Sequence, residues 1–362
     1  PGAALRDGFI AAYFDYGDAI GQMDVVVYDT ARLGAAEAYR LAVADGAEFV
    51  VGPLQKNDVA EVARLAPAGP TTLALNYLPA EARAPKNFYQ YALAPEHEAV
   101  VVAQHAVAAG RMNAVALVPA GDWGERLLDA FATELNNLGG QLLAHNIYQP
   151  DATDFSSVIR PVLHLDRSYS RSRALASAIG QPIEFEPRRR RDVDFVFIAA
   201  QPKQARLIRP QLRFHYATAL PVYATAAAYS PDTDLNRDIN GLIIAATPWE
   251  VSSDPETQEL RSTIDRYWPG RAQHRSPLYA MGYDAWRLIP LLSAGGDEPM
   301  QLTGVTGELS LLEDGRIQRT PMLTKILGGI PAILEPEIDE DVINEDELPE
   351  AEVILPGASG SL

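Results

Sequence analysis

The chain has 362 residues, with 30 Lys and Arg against 48 Asp and Glu, and it contains no cysteine. At 47% hydrophobic and 8% aromatic it can bury a substantial core, which excludes wholesale disorder, and its length suits about two domains. A net charge of −18 opposes bulk binding of phosphate backbones, while the missing Cys excludes disulfide scaffolds, Cys-ligated zinc, iron–sulfur clusters and thiol nucleophiles.

The first segment, Gly2 to Tyr16, has an amphipathic, helical pattern. Pro1 follows no charged or apolar leader and reads as a processing or truncation point. No apolar run reaches the roughly 18 residues that would span a bilayer. Three short apolar runs, Asp24–Asp29, Phe49–Leu54 and Thr71–Asn76, alternate with helical patterns over about 31–44 and 56–65. Continuous β-branched runs separated by helices predict a parallel sheet covered on both faces. The pattern then restarts with a strand at Asn87–Leu93 and a helix that opens on Pro95, a favoured first-turn residue. Strands at Ala114–Pro119, Gln141–Tyr148, Asp194–Ala200, Pro221–Thr225 and Gly241–Thr247 follow, with helices over about 123–138 and 203–216.

Two helices, about 255–267 and 276–292, precede a hairpin of Gly307–Leu312 and Arg316–Leu323 around Asp314-Gly315, a strong turn pair. Asp166–Arg191 is polar, basic and too long for an ordinary connection, so it is predicted to be a surface loop insertion. Its four arginines, Arg188, Arg189, Arg190 and Arg191, offer a contact for an anionic partner. Ten of the acidic residues follow Leu334 with no basic residue among them, which leaves −8 on the rest of the chain. That segment is predicted to be a disordered tail.

Catalytic patterns are missing. His97-Glu98 begins like a zincin motif, but Val101 stands where the second His is needed, and His97 and His105 lie two helical turns apart. Neither a Walker sequence nor GxGxxG occurs, Gly304–Glu308 lacks the phosphate-binding lysine, and Gly357–Gly360 is wrongly spaced for a nucleophile elbow. No metal or cofactor is expected, and the sequence argues against an enzyme. The strand ends are more informative, since open α/β sheets bind ligands beyond the carboxyl ends of their strands. Those ends supply Gly52, Pro53, Leu54, Lys56 and Asn76 in the first unit and Pro119, Trp123 and Gln201 in the second, with Tyr279 added from the late helix.

Two α/β units, a late helix pair and a terminal hairpin resemble the type I periplasmic-binding-protein fold, in which the chain crosses between lobes three times. The crossings are placed near Ala92, Pro248 and Thr306, giving lobe 1 as 1–92 plus 249–305 and lobe 2 as 93–248 plus 306–330. The basic insertion then occupies about 166–191 and the acidic tail 331–362. Several segments resemble the LppC/LpoA family: Val50–Val59, Leu73–Asn76, Tyr91–Ala99, Val193–Leu212, Tyr279–Trp286 and Thr306–Arg319. That resemblance covers about Gly2 to Leu327. It implies a catalytically silent domain that binds and activates a class A penicillin-binding protein, the bifunctional peptidoglycan synthase, with peptidoglycan as a further partner. It also implies a periplasmic place on the outer membrane, through a lipidated N-terminus upstream of this chain. It assigns no catalytic residues. The alternative is a periplasmic solute-binding protein holding a small polar ligand between its lobes.

Overall fold

A computed structural model describes residues 2–20, 23–79, 81–181, 183–270, 276–294 and 300–334. The chain opens with α1 (Gly2–Ile20), α2 (Thr30–Leu33) and α3 (Ala35–Ala44). The single helix predicted over 31–44 is divided at Gly34, whose φ of 79° breaks the helical path. Next come β1 (Phe49–Val51), α4 (Lys56–Ala63), β2 (Thr71–Ala74), β3 (Phe88–Tyr91) and α5 (Pro95–Ala108). β4 (Asn113–Pro119), α6 (Asp122–Asn137), β5 (Gln141–Tyr148), α7 (Ser156–Val162), α8 (Leu165–Ile179), β6 (Phe195–Ile198), α9 (Pro202–Phe214), β7 (Val222–Thr225) and β8 (Leu242–Ala246) follow. The last part comprises α10 (Pro248–Val251), α11 (Pro255–Tyr267), α12 (Pro277–Ala294), β9 (Gln301–Gly304), β10 (Gly307–Leu311), β11 (Arg316–Thr320), β12 (Met322–Leu327) and β13 (Ile330–Ile333).

These strands form two sheets flanked by helices. The first has the order β1-β2-β3-β11-β10-β9, the second β13-β12-β8-β7-β6-β4-β5. Strands β5, β4, β6, β7 and β8 are mutually parallel, and their alternate side chains enter two separate cores. Val115, Leu117, Val196, Ile198, Val222 and Ile244 face Ile159 of α7 and Ile208 and Leu212 of α9. Ala116, Val118, Phe195, Phe197 and Tyr223 face Val102 and Ala103 of α5 and Leu127 and Phe131 of α6. Phe131 stacks on Phe197 with centroids 4.4 Å apart. Both faces being covered explains why these strands read as unbroken apolar runs.

In the first sheet, Ala74 and Phe88 pack against α3 and α4, while Leu73, Leu75, Tyr91, Leu309 and Ile317 pack against Met281, Ala285, Leu288 and Leu292 of α12. The opposite side of α12 meets α1 and α11, where Trp286 lies edge-on to Phe9 and Tyr13 at 5.2 and 5.3 Å. A helix apolar on nearly all sides is one buried on nearly all sides.

The structure corrects four expectations. Asp24–Asp29 is not a strand: Val26 and Val27 are exposed, Met23 and Val25 pack beside α1 and α12, and Asp29 caps α2. An apolar run becomes a strand only where a ladder partner exists, and β1 ends the described sheet with β2 alone beside it. Asp166–Arg191 is not simply a loop, because α8 occupies residues 165–179 and closes on Gly180 in the left-handed region. Ala, Leu and Arg between 171 and 178 are good helix formers, which outweighed the serines. The segment Arg316–Leu323 is two strands, since Pro321 has no N–H to continue the ladder. Arg316 and Ile317 pair with β3 of the first sheet, whereas Met322 to Lys325 pair with β8 of the second. The third crossing therefore falls at Pro321, not at Thr306. Lastly, 331–333 belong to β13; the rest of the predicted tail beyond Leu334 lies outside the described residues, as does His274.

Two glycines set the distance between α1 and α12. A Cβ on Gly8 would sit 1.9 Å from the Tyr279 carbonyl oxygen, and one on Gly282 would sit 1.9 Å from that of Leu5. Neither backbone can yield without separating the helices. Gly282→Ala is expected to destabilise the fold by about 1–3 kcal/mol in urea unfolding. Gly17→Ala, where the new methyl meets only Tyr13 ring atoms at 3.8 Å, should instead be neutral or stabilising by up to about 1 kcal/mol.

Candidate functional site

The chain passes between the sheets at Ala92–Ala94, at Thr247–Pro248 and at Pro321, and each passage carries a charged side chain into the junction. Glu98 lies in the first turn of α5, where Pro95 starts the helix and the helix dipole favours a carboxylate. Glu250 lies in α10, where the backbone N–H and hydroxyl of Thr247 both donate to its Oε2, at 3.2 and 2.8 Å. Arg319 lies on β11, 1% exposed. Its Nη2 donates to Glu98 Oε1 at 3.0 Å and its Nη1 to the Thr306 carbonyl at 3.4 Å. Glu98 Oε2 accepts from the N–H of Ala226, just past β7, at 2.9 Å. One buried carboxylate thus ties β11 of the first sheet to the end of β7 in the second.

A second carboxylate braces the same region. Asp284 of α12 accepts from Val305 N–H at 3.0 Å, Thr306 N–H at 2.8 Å and the Thr306 hydroxyl at 2.5 Å. The Thr306 hydroxyl also meets Tyr91 OH at 2.6 Å. Gly304 permits this contact, because a Cβ there would lie 2.5 Å from Asp284 Oδ2. Nearby, Tyr77 OH donates to the Ile317 carbonyl at 2.9 Å and lies 3.4 Å from His97 Nε2.

Burial dominates the protonation of these groups. It pushes the Glu98 carboxyl up to about 7 against the pull of Arg319, with Glu250 adding to the rise. It likewise raises Glu250, opposed by the Thr247 hydrogen bonds, and lifts Asp284 to about 6 against its bonds to Thr306. His97 is pushed down to about 4 by burial and by Arg319. The charge of Glu250 disfavours a second negative charge on Glu98, while the Arg319 guanidinium opposes the rise of both. Among the described residues, no group of three or more His, Asp or Glu is placed to hold a metal.

The rim residues of the first sheet do meet. The Gly52 N–H donates to the Leu73 carbonyl, the Leu75 N–H to that of Pro53, and Asn76 Nδ2 to that of Leu54 at 3.1 Å. Asn76 Oδ1 accepts from Tyr77 N–H, so its amide is occupied within the rim. Lys56 is exposed at the start of α4. In the second sheet, Pro119 is buried, Trp123 packs half-buried on the α5–α6 core, and exposed Gln201 precedes α9. Tyr279 stands apart from both rims, 5% exposed beside Trp249 in the α1–α12 core. Of the four arginines, Arg190 holds Asp192 with two bonds of 2.7 Å and Arg189 donates to the Arg190 carbonyl, while Arg188 and Arg191 are exposed. Glu98, Asp284 and Arg319 were not among the sequence candidates. Period-two alternation carries a signal for the last: Arg319 shares the inward face with Ile317.

Replacing Arg319 with Met should cost roughly 3–5 kcal/mol near pH 8, because Glu98 is left buried without its cation; adding Glu98→Leu should recover most of that loss in urea unfolding. The pH dependence has a definite sign. Glu98 is held at about 7, above its ordinary 4.5, so the folded state binds the proton more tightly. Its contribution is full below about 4.5 and is lost towards pH 7, at up to about 1.4 kcal/mol per pH unit. The stability difference between the natural chain and Glu98→Gln should therefore fall across that window; a flat difference would mean that Glu98 stays ionised.

Comparison with known proteins agrees with this architecture. The penicillin-binding protein activator LpoA of Vibrio antiquarius is 29% identical over 324 residues, covering 87% of this chain and 53% of that protein. Its Aliivibrio fischeri counterpart is 28% identical, with 88% and 53% covered. The chain thus spans about half the length of the curated relatives it matches. Among solved structures, the LpoA C-domain from Haemophilus influenzae, described as a regulator of PBP1A, superposes with a TM-score of 0.69 at 24% identity, covering 92% of this chain and 95% of that one. A "putative branched-chain amino acid ABC transporter" from Rhodospirillum rubrum gives 0.69 at 19% identity over the same shares and speaks to the fold alone. Residues 1–323 match the family described as "LppC putative lipoprotein", and the chain belongs to that family.

Proposed function

We propose that this chain is the synthase-binding domain of a penicillin-binding protein activator. Its role is non-catalytic: it binds a class A penicillin-binding protein in the periplasm and favours that enzyme's active state. Lipoprotein membership points to attachment at the outer membrane through a lipidated N-terminus. The observation that carries this reading is the family match along nearly the whole described chain, with relatives named as activators. An activator of this kind needs no catalytic group, since differential affinity for the active state is enough to shift a conformational equilibrium.

For the docking surface, α8 and the segment after it offer the best chemistry. Leu175, Ile179 and Phe185 are exposed there at 52%, 54% and 38%, beside Arg171 and the exposed Arg188 and Arg191. Exposed apolar side chains and arginines on one helix and the segment after it suit a protein partner. The alternative of a solute-binding protein rests on fold likeness alone, and the amide of Asn76 in the first rim is already occupied.

In a glycan-polymerisation assay with the cognate class A synthase, the chain is expected to raise the rate and to co-purify with the enzyme. Failure both to bind the enzyme and to change its rate would overturn the proposal. Reversing Arg188 and Arg191 to Glu together with Leu175→Ser should weaken binding by roughly tenfold or more while leaving the melting temperature unchanged.

A further inference from the structure

The end of the second sheet remote from the rims holds an unassigned cavity of about 280 Å³. It lies before the first residues of β7 and β8, and its walls include His105, Arg111, Arg209, Gly241, Lys325 and Leu334. Among the described residues, no carboxylate lines it. Arg209, on α9, is only 6% exposed, and its Nε and Nη1 are buried without a hydrogen-bond partner among the described residues. Gly241, at φ +80°, makes room for the guanidinium, since a Cβ there would lie 3.2 Å from Arg209 Nη2. Arg213, close by, donates to the Asn240 carbonyl, and Arg111 Nη1 donates to Tyr223 OH at 2.9 Å. His105 Nδ1 lies 3.3 Å from that same hydroxyl. Lys325 is exposed at the mouth.

A buried guanidinium without a counter-charge is costly, and its planar fork matches the two oxygens of a carboxylate or phosphate. Burial and the neighbouring Arg213 push the Arg209 guanidinium down to about 10, which still leaves it charged at neutral pH. We propose that this cavity is an oxyanion-binding site, in which Arg209 grips a carboxylate or phosphate group with Lys325 and Arg111 completing the positive surround. Two sources can supply that chemistry. One is a free small anion. The other is the chain itself: Leu334 lines the cavity, and the sequence that follows it carries ten acidic residues and no basic ones.

The test is calorimetric titration of the full chain with inorganic phosphate at fixed ionic strength and neutral pH. Saturable binding is expected, weakened roughly tenfold or more in Arg209→Met. Should that variant fail to fold, the exposed Lys325→Gln should weaken binding by roughly threefold or more. A second arm replaces Glu335 and Glu337 with Gln, Asp339 and Asp341 with Asn, and Glu340 with Gln. A gain of roughly fivefold or more in phosphate affinity would identify the chain's own carboxylates as the natural occupant, because they compete by mass action. Unchanged affinity would identify the site as one for a free anion. Absence of saturable binding in both backgrounds, or equal heats from every variant, overturns the proposal.

Discussion

The contact between Arg319 and Glu98 holds the two halves of this molecule in one arrangement. Apolar packing contributes less to this, because among the described residues the core clusters belong mainly to one sheet and its own helices, although Val251 of α10, beyond the second crossing, packs on the core of the second sheet. The two faces of the second sheet form two clusters, while the first sheet, α1, α11 and α12 form the others. The polar contacts that cross between them among the described residues include the Arg319 guanidinium on the Glu98 carboxylate and Tyr77 OH beside His97 Nε2. A hydrophobic interface tolerates sliding, since burial is nearly indifferent to direction. A buried ion pair does not, because moving either partner leaves a charge without compensation. The net stabilisation from such a pair is small, so its main consequence here is to fix the register of the sheets.

The surroundings of that pair are built to keep it dry and in place. Asp284 of α12 holds the backbone at 305 and 306, which in turn presents the carbonyl that Arg319 uses. Helix α12 is itself pinned to α1 by backbone approach at two glycines. Any displacement of the first sheet's helices is thereby transmitted to the junction through a short series of stiff contacts. With Glu250 and Asp284 as further buried carboxylates nearby, potential negative charge exceeds positive at the junction among the described residues. Its protonation is therefore coupled to how closely the sheets approach.

Sequence reading located most of the scaffold and little of the junction. Strands buried on both faces, such as Phe195–Ile198 and Leu242–Ala246, announce themselves because every position is apolar. Helices that begin on proline, as α5 and α9 do, are equally plain. Val25–Val27 has the same composition as a strand, yet strand identity is a property of pairing and cannot be read from one segment. The third crossing was misplaced because a hairpin signal at Asp314-Gly315 is local, while the choice of sheet for each arm is decided by β3 and β8, more than 70 residues away in the chain. Tyr279 sits in a conspicuous motif whose purpose proves to be helix packing. Glu98 and Arg319 are separated by 221 positions, and no spacing rule connects residues so far apart.

Charge distribution shows most clearly why a global number misleads. A net charge of −18 would suggest that anions are repelled everywhere. Electrostatic interactions in water, however, fade over roughly 8–10 Å at physiological salt, so a site responds to its immediate neighbours. Around Arg209 those neighbours are Arg213, Arg111, His105 and Lys325, and among the described residues the cavity wall contains no acid. The surplus of negative charge lies largely in the sequence after Leu334, which begins at that same wall. The net charge of the chain therefore says little about the affinity of that cavity for an anion, which its immediate basic neighbours decide.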